Sequence, residues 1–244
     1  MKPYSASILI PFSIAASACQ QQADVFTKAE AKSPALVSTA AAPIVVELYQ
    51  SQGCSSCPPA NAAVNAVADQ PGIIALSFAV TYWDRLGWKD IFADKAYNQR
   101  QYDYAHAFGN PNVYTPQIVI NGKTALTGIK HGELAKSIAA SPPISGGPSI
   151  SVDQGSLTIG KGSGEANIWL VQYDPQTHNV AIRSGENDGR RLPHKNIVRK
   201  LTKLGEWRGV SASFKLPTML TDQLERVILV QRPGAGDIIS ARKI

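Results

Sequence analysis

Long apolar runs are missing from this 244-residue chain. None approaches the ~18 residues that a membrane-spanning helix needs, so any membrane attachment is expected to come from the N-terminus. Charge is also scarce. Asp, Glu, Lys and Arg make up 17% of the residues, below the roughly one quarter usual in soluble chains, while 44% hydrophobic residues are enough to bury real cores. Wholesale disorder is thereby excluded, and the length suits two small domains better than one large one. Acidic residues are nearly absent from 190–208, where Arg190, Arg191, Lys195, Arg199, Lys200, Lys203 and Arg208 face only Glu206. That stretch nets +6, the formal net charge of the whole chain, so the basic excess is local. Aromatics do not interleave it apart from Trp207, and nucleic acid is not expected as a partner.

Cysteine is rare as well, with three in the chain: Cys19, Cys54 and Cys57. The first lies directly after what reads as an export signal. Lys2 gives a short positive region, 8–18 (ILIPFSIAASA) an apolar one, and Ala16, Ser17 and Ala18 a small-residue cleavage site. Residues 1–18 are therefore expected to be a signal peptide. A cysteine directly after small residues also resembles a bacterial lipobox, with Ala16 where such boxes prefer Leu. Two outcomes stay open: lipidation of Cys19, or a plain cut that leaves it free. Either takes the chain to the periplasm or cell envelope, with a lipid anchor to a membrane in the first case. Residues 19–42, polar and rich in Ala and Ser without firm periodicity, read as a tether.

The remaining pair is spaced Cys-x-x-Cys in a compartment where disulfides persist. Two thiols cannot complete a four-cysteine zinc site, and a copper clasp would want a further His or Met. His106 and His131 are available, and Met219 is the one methionine beyond the signal. No resident metal or cofactor is expected. Residues 44–49 (IVVELY) suit a buried strand and 50–53 a turn; Pro58 and Pro59 fit a first helical turn, followed by Ala60, Val64 and Val67 at helical spacing. A cysteine at a helix start meets unsatisfied N–H groups and the helix dipole, which can draw a thiol pKa from ~8.5 into the range of about 3.5–7.5. Cys54 is accordingly expected to be an exposed attacking thiolate, with Cys57 one turn on to resolve a mixed disulfide. The alternatives are a fixed structural disulfide and a metal half-site.

A strand is expected at 73–82, a helix at 94–108, a strand at 118–120, a hairpin turn at Asn121 and Gly122, and a short helix at 133–140. Trp83, Asp84 and Trp88, at the end of the second strand, fit either packing or a substrate rim. Pro142, Pro143 and the run 145–148 (SGGP) break the chain. Beyond them, short runs at 149–153, 156–159, 166–173, 179–183, 210–214 and 225–230 read as strands of a β-sandwich. Residues 194–204 are ambiguous between strand and helix. The segment Gly185, Glu186, Asn187, Asp188, Gly189, Arg190, Arg191, with His194, Asn196 and Arg199 beyond it, reads in two ways. It is a glycine-supported turn with solvated charges, or a polar surface that docks a partner or anion or leans over the disulfide.

Four motifs in order, ELYQSQGCSSCPPA, YWDRLGWKD, YTPQIVING and GENDGRRLPHKNIVRKLTKLGEW, resemble a secreted bacterial thioredoxin-like family of unassigned function, domain of unknown function 1223. The resemblance runs from about residue 44 to the C-terminus. It implies an α/β thioredoxin-like domain at 43–141; with the breakers at 142–148 read as a linker and the strands beyond it as above, an all-β sandwich at 149–244 is expected to follow. From the wider superfamily it implies Cys54 as nucleophile, Cys57 as resolving thiol, and Pro116 as a cis-proline beside the substrate. Thr115 would then offer its backbone to an extended substrate strand, with Trp83 and Asp84 at the rim. Gly53 stands where thioredoxins carry an aromatic, and Glu47 lies one residue off the place of their buried acid. The implied function is thiol–disulfide exchange on protein thiols or disulfides; the competing class is a non-enzymatic binding module holding a structural or copper-binding pair.

Overall fold

Ile44–Gln50 (β1) is followed by the helix Pro58–Val67 (α1) and the strand Ile73–Ala79 (β2). In this computed structural model, which describes residues 42–244, both strands are buried along almost their whole length. Runs of Val, Ile, Leu and Ala suit parallel strands covered on two faces, and the two pair in parallel with Ile44 opposite Ile73. Parallel pairing needs a crossover, which α1 supplies. Its Ala60, Val64 and Val67 pack against Val46 and Leu48 of β1 and Ile118 and Ile120 of β3, Gln117–Ile120. The export-signal reading of 1–18, the lipidation reading of Cys19 and the tether reading as far as residue 41 lie outside the described residues.

After β2 comes Lys95–Ala107 (α2), capped by the Asp94 carboxylate, which accepts from the Ala96 N–H. β3 runs antiparallel to β1 and turns at Asn121 and Gly122 into Thr124–Leu126 (β4); Glu133–Ala140 (α3) follows. The second half supplies Ile150–Asp153 (β5), Ser156–Ile159 (β6), Ala166–Asp174 (β7), His178–Ala181 (β8), Arg191–His194 (β9), Ile197–Trp207 (β10), Ala212–Lys215 (β11), Glu225–Gln231 (β12) and Ile238–Lys243 (β13). Of these, β9 and β13 are absent from the sequence reading, and the ambiguous 194–204 resolves as strand.

The expected architecture, an α/β thioredoxin-like domain followed by an all-β sandwich, is not what these elements build. One mixed eight-stranded sheet runs β13-β12-β7-β10-β2-β1-β3-β4, so strands from both sides of 142–148 share a single ladder. The junction is β10 alongside β2: Ser77 N–H donates to the Asn196 carbonyl (2.9 Å), and Asn196 Nδ2 to the Ala75 carbonyl (2.9 Å). An unpaired edge of buried backbone is costly, and β10 satisfies the one that β2 would otherwise expose. The core straddles the same junction. On one face α2 lays Tyr97 and Tyr104 across Tyr49, Leu76 and Phe78 from the first half and Val171, Tyr173, Val198, Val227 and Leu229 from the second. Three strands, β11-β6-β5, form a separate layer, packing Ile150, Leu157 and Ile159 on Ile168, Leu170, Ile228 and Val230 with Trp207. β8 and β9 make a two-stranded hairpin outside both sheets.

Candidate functional site

Alternation along β1 sends Val46, Leu48 and Gln50 toward α1, and the turn after Gln50 brings Cys54 and Cys57 to the head of that helix. Cys57 is the N-cap residue, and its carbonyl accepts from the Asn61 N–H (3.0 Å). Cys54 lies a turn earlier, with Cys57 N–H donating to its carbonyl (3.2 Å). The pair forms a disulfide, Cα to Cα 5.4 Å. Both cysteines are 0% exposed. The expected exposed Cys54 is therefore not found, although Ser55 and Ser56 between the pair face solvent.

Two hydroxyls, those of Thr115 and Ser56, reach the buried Cys54 sulfur. The Thr115 hydroxyl donates to Cys54 Sγ (3.4 Å), and Trp83 Nε1 donates to the same hydroxyl oxygen (2.7 Å). Ser56 Oγ lies 3.4 Å from Cys54 Sγ and donates to the Thr115 carbonyl (3.3 Å), which is thus not free in this state. The Thr115–Pro116 bond is cis. Trp83 is half-buried, and its Cβ sits 3.5 Å from where a side chain at Gly53 would begin, so the loop carries its aromatic on a neighbouring segment rather than before Cys54. Asp84 points the other way, accepting from the Asp90 N–H (3.1 Å).

Asp90, 2% exposed, accepts from the Gln52 N–H (2.8 Å) and the Phe92 N–H (2.9 Å). Burial nonetheless raises its carboxyl pKa to about 6. Trp88 Nε1 donates to Gln52 Oε1 (2.8 Å), so the YWDRLGWKD motif holds the cysteine loop from behind. The tip of the β8–β9 hairpin covers it from in front. Buried Asn187 donates through Nδ2 to the Gln52 and Cys54 carbonyls (2.8 Å each), and Glu186 Oε2 accepts from Ser55 N–H (3.1 Å) and Ser55 Oγ (2.7 Å). Those two Ser55 donors hold the exposed Glu186 carboxyl below its ordinary pKa. Of the two readings of the 185–191 segment, the structure favours the polar surface, whose tip is bonded to the cysteine loop at Gln52, Cys54 and Ser55.

Glu47 points away from this site. It shares the face of Val45 and Tyr49, opposite α1, where Arg100 Nε meets Oε1 (2.8 Å) and the Tyr104 hydroxyl donates to Oε2. The ion pair is fully buried, and the guanidinium lies over the Phe78, Tyr104 and Trp169 rings. His194 is likewise remote from Glu186 in function: its ring packs on Phe92, not on a carboxylate. His106 lines a cleft with Arg100 and Asp103, and His131 is exposed in the turn before α3. Among the described residues no three His, Cys, Asp or Glu side chains cluster as metal ligands. A cleft of about 800 Å³, lined by residues such as Pro43, Ile73, Pro148 and Arg242, touches none of the cysteine site.

A buried Cys-x-x-Cys disulfide, clasped by two motifs distant in sequence on one mixed sheet, defines the type of protein. The chain belongs to the family of proteins of unknown function DUF1223, which matches residues 45–231, from β1 to the end of β12. None of the curated proteins matches it. Among solved structures, a crystal structure of a protein from Agrobacterium tumefaciens is 28% identical, covering 82% of this chain and 93% of that one, with a TM-score of 0.66. HBP35 of Porphyromonas gingivalis, 13% identical, covers 83% of this chain and 74% of its own with a TM-score of 0.53, a likeness of fold alone.

Proposed function

We propose that Cys54 and Cys57 carry out thiol–disulfide exchange with protein thiols or disulfides in the cell envelope. The observation that carries this reading is the Thr115 hydroxyl on Cys54 Sγ, a donor aimed at the sulfur that must become a thiolate. A thioredoxin-like use of the pair accounts for it. In the oxidised state a substrate thiolate attacks Cys54 Sγ, forming a mixed disulfide and releasing Cys57 as thiolate. A second substrate thiol then attacks the substrate sulfur, closing the substrate disulfide and releasing the Cys54 thiolate. Two electrons pass to the cysteine pair, and the two substrate protons end on its thiols or in solvent. With a reduced pair the same steps run backwards. Donors that stabilise the Cys54 thiolate favour it as leaving group in the first direction and as nucleophile in the second.

A second reading, a fixed structural disulfide, is favoured by the full burial of both cysteines. Equilibration against glutathione buffers, read by alkylation of the freed thiols, separates the two. A midpoint between about −120 and −270 mV is expected for exchange chemistry, whereas a value below about −300 mV leaves only the structural disulfide. The cellular setting rests on the export reading of 1–18 and lipid attachment at Cys19. Wild-type protein is expected in the membrane fraction of a Gram-negative host and Cys19→Ser outside it; soluble wild type with unmodified Cys19 removes the anchor.

A further inference from the structure

Glu186 and Asn187 reach the cysteine loop from more than 130 residues away, and they do unlike things there. Asn187 is buried and clamps two carbonyls. Glu186 is exposed and, among the described residues, binds through Ser55, taking both its N–H and its hydroxyl. The tip that carries them is braced within itself: Asp188 N–H donates to the Gly185 carbonyl, Gly189 N–H to Ile182 and Arg190 N–H to Asn187. Its turns depend on Gly185 (φ 77°) and Gly189 (φ 76°), left-handed positions that suit glycine. Side-chain bonds, not a strand ladder, join this hairpin to the cysteine loop, so the contact can break without unfolding either sheet. A carboxylate on the residue next to Cys54 disfavours a thiolate there, and Cys54, 0% exposed, cannot meet a bulky sulfur partner until something around it moves.

We propose that Glu186 is a positioning residue of the cysteine pair: through Ser55 it latches the hairpin tip over Cys54 and keeps the reduced sulfur covered and protonated. An incoming polypeptide opens the latch by offering its own carbonyl or carboxylate to the Ser55 donors. The inference rests on reading Cys54 as the reacting sulfur. The other charged or titratable groups around that loop are Arg190, which donates to Asn187 Oδ1, Asp90 on the Gln52 N–H, Asp84 behind Asp90, and Tyr82 beside Thr115. None of them bonds Ser55.

The test uses Cys57→Ala protein, in which Cys54 is the reporting thiol, and iodoacetamide, whose carbon the thiolate attacks with loss of iodide. Rates are measured across pH with Glu186→Gln and, in parallel, Asp188→Asn. The second variant removes the same charge from the same tip but has no bond to Ser55, and thermal melts of both confirm the fold. Glu186→Gln is expected to raise the high-pH limiting rate about fivefold or more and to move the midpoint of the rate profile to lower pH. Asp188→Asn is expected to do neither. The latch is overturned if Glu186→Gln stays within about twofold of its parent throughout, or if Asp188→Asn matches it. The glutathione midpoint of the intact pair decides the exchange reading separately, whichever way the alkylation rates fall.

Discussion

His194 is 1% exposed, its ring lies against Phe92, and neither ring nitrogen has a hydrogen-bond partner among the described residues. Burial, with the neighbouring His178, lowers its pKa from 6.5 to about 4. Its proton therefore prefers the unfolded chain, and stability is lost as pH falls from about 6.5 to about 4. Asp90 behaves oppositely: burial raises its pKa from 3.8 to about 6, so its proton prefers the folded chain and stability is gained as pH falls from about 6 to about 4. Each shift corresponds to about 3 kcal/mol at most, so over pH 6–4 the two nearly cancel. Urea unfolding at pH 7 and pH 4 is expected to show this. Relative to wild type, His194→Phe gains stability on acidification because Asp90 acts unopposed, and Asp90→Asn loses it because His194 does. Parallel pH slopes in all three proteins would refute the assignment. Neither group was legible as perturbed from the sequence, because a His in a basic run and an Asp in a Trp-rich loop both look solvated until packing buries them. Cys54 and Cys57 were legible, since their spacing and the prolines after them define a helix start locally.

At the scale of elements, local rules worked where an element is shaped by its own residues. Pro58 and Pro59 opening α1, Asp94 capping α2 and the Asn121–Gly122 turn all stand where chain chemistry puts them. β10 illustrates the opposite case. Ile197, Leu201 and Leu204 have helical spacing, yet the segment is strand because β7 pairs along almost its whole length and β2 takes its start. Its spacing is distorted by register shifts between Val198 and Lys200 and between Lys203 and Gly205, which break the alternation that marks a strand. β9 was missed for a related reason: Pro193 and the charges around it suggest a loop, but an edge strand paired only to β8 tolerates both. The hairpin so formed is what delivers Glu186 and Asn187 to Cys54.

For the whole molecule, the continuous sheet makes the two halves interdependent. Residues 43–141 expressed alone would expose the outer edge of β2 and the α2 face that packs on Val171, Tyr173, Val227 and Leu229; residues 149–244 alone would expose the complementary strands. Both fragments are expected to be insoluble or molten, and 42–244 to unfold in one transition by circular dichroism. A soluble fragment with a cooperative melt of its own would contradict that interdependence. The strands β1 and β2, the helix between them, the cysteine pair at its head and the family resemblance could all be read from local residues, because propensity, capping and spacing act over a few positions. Packing between distant segments set the rest: the later strands extend the first sheet, Glu47 pairs with Arg100, and the 185–190 tip bonds the cysteine loop at Gln52, Cys54 and Ser55. Those outcomes depend on which edges remain unpaired and which polar groups lose water, and both are settled between segments that the chain keeps far apart.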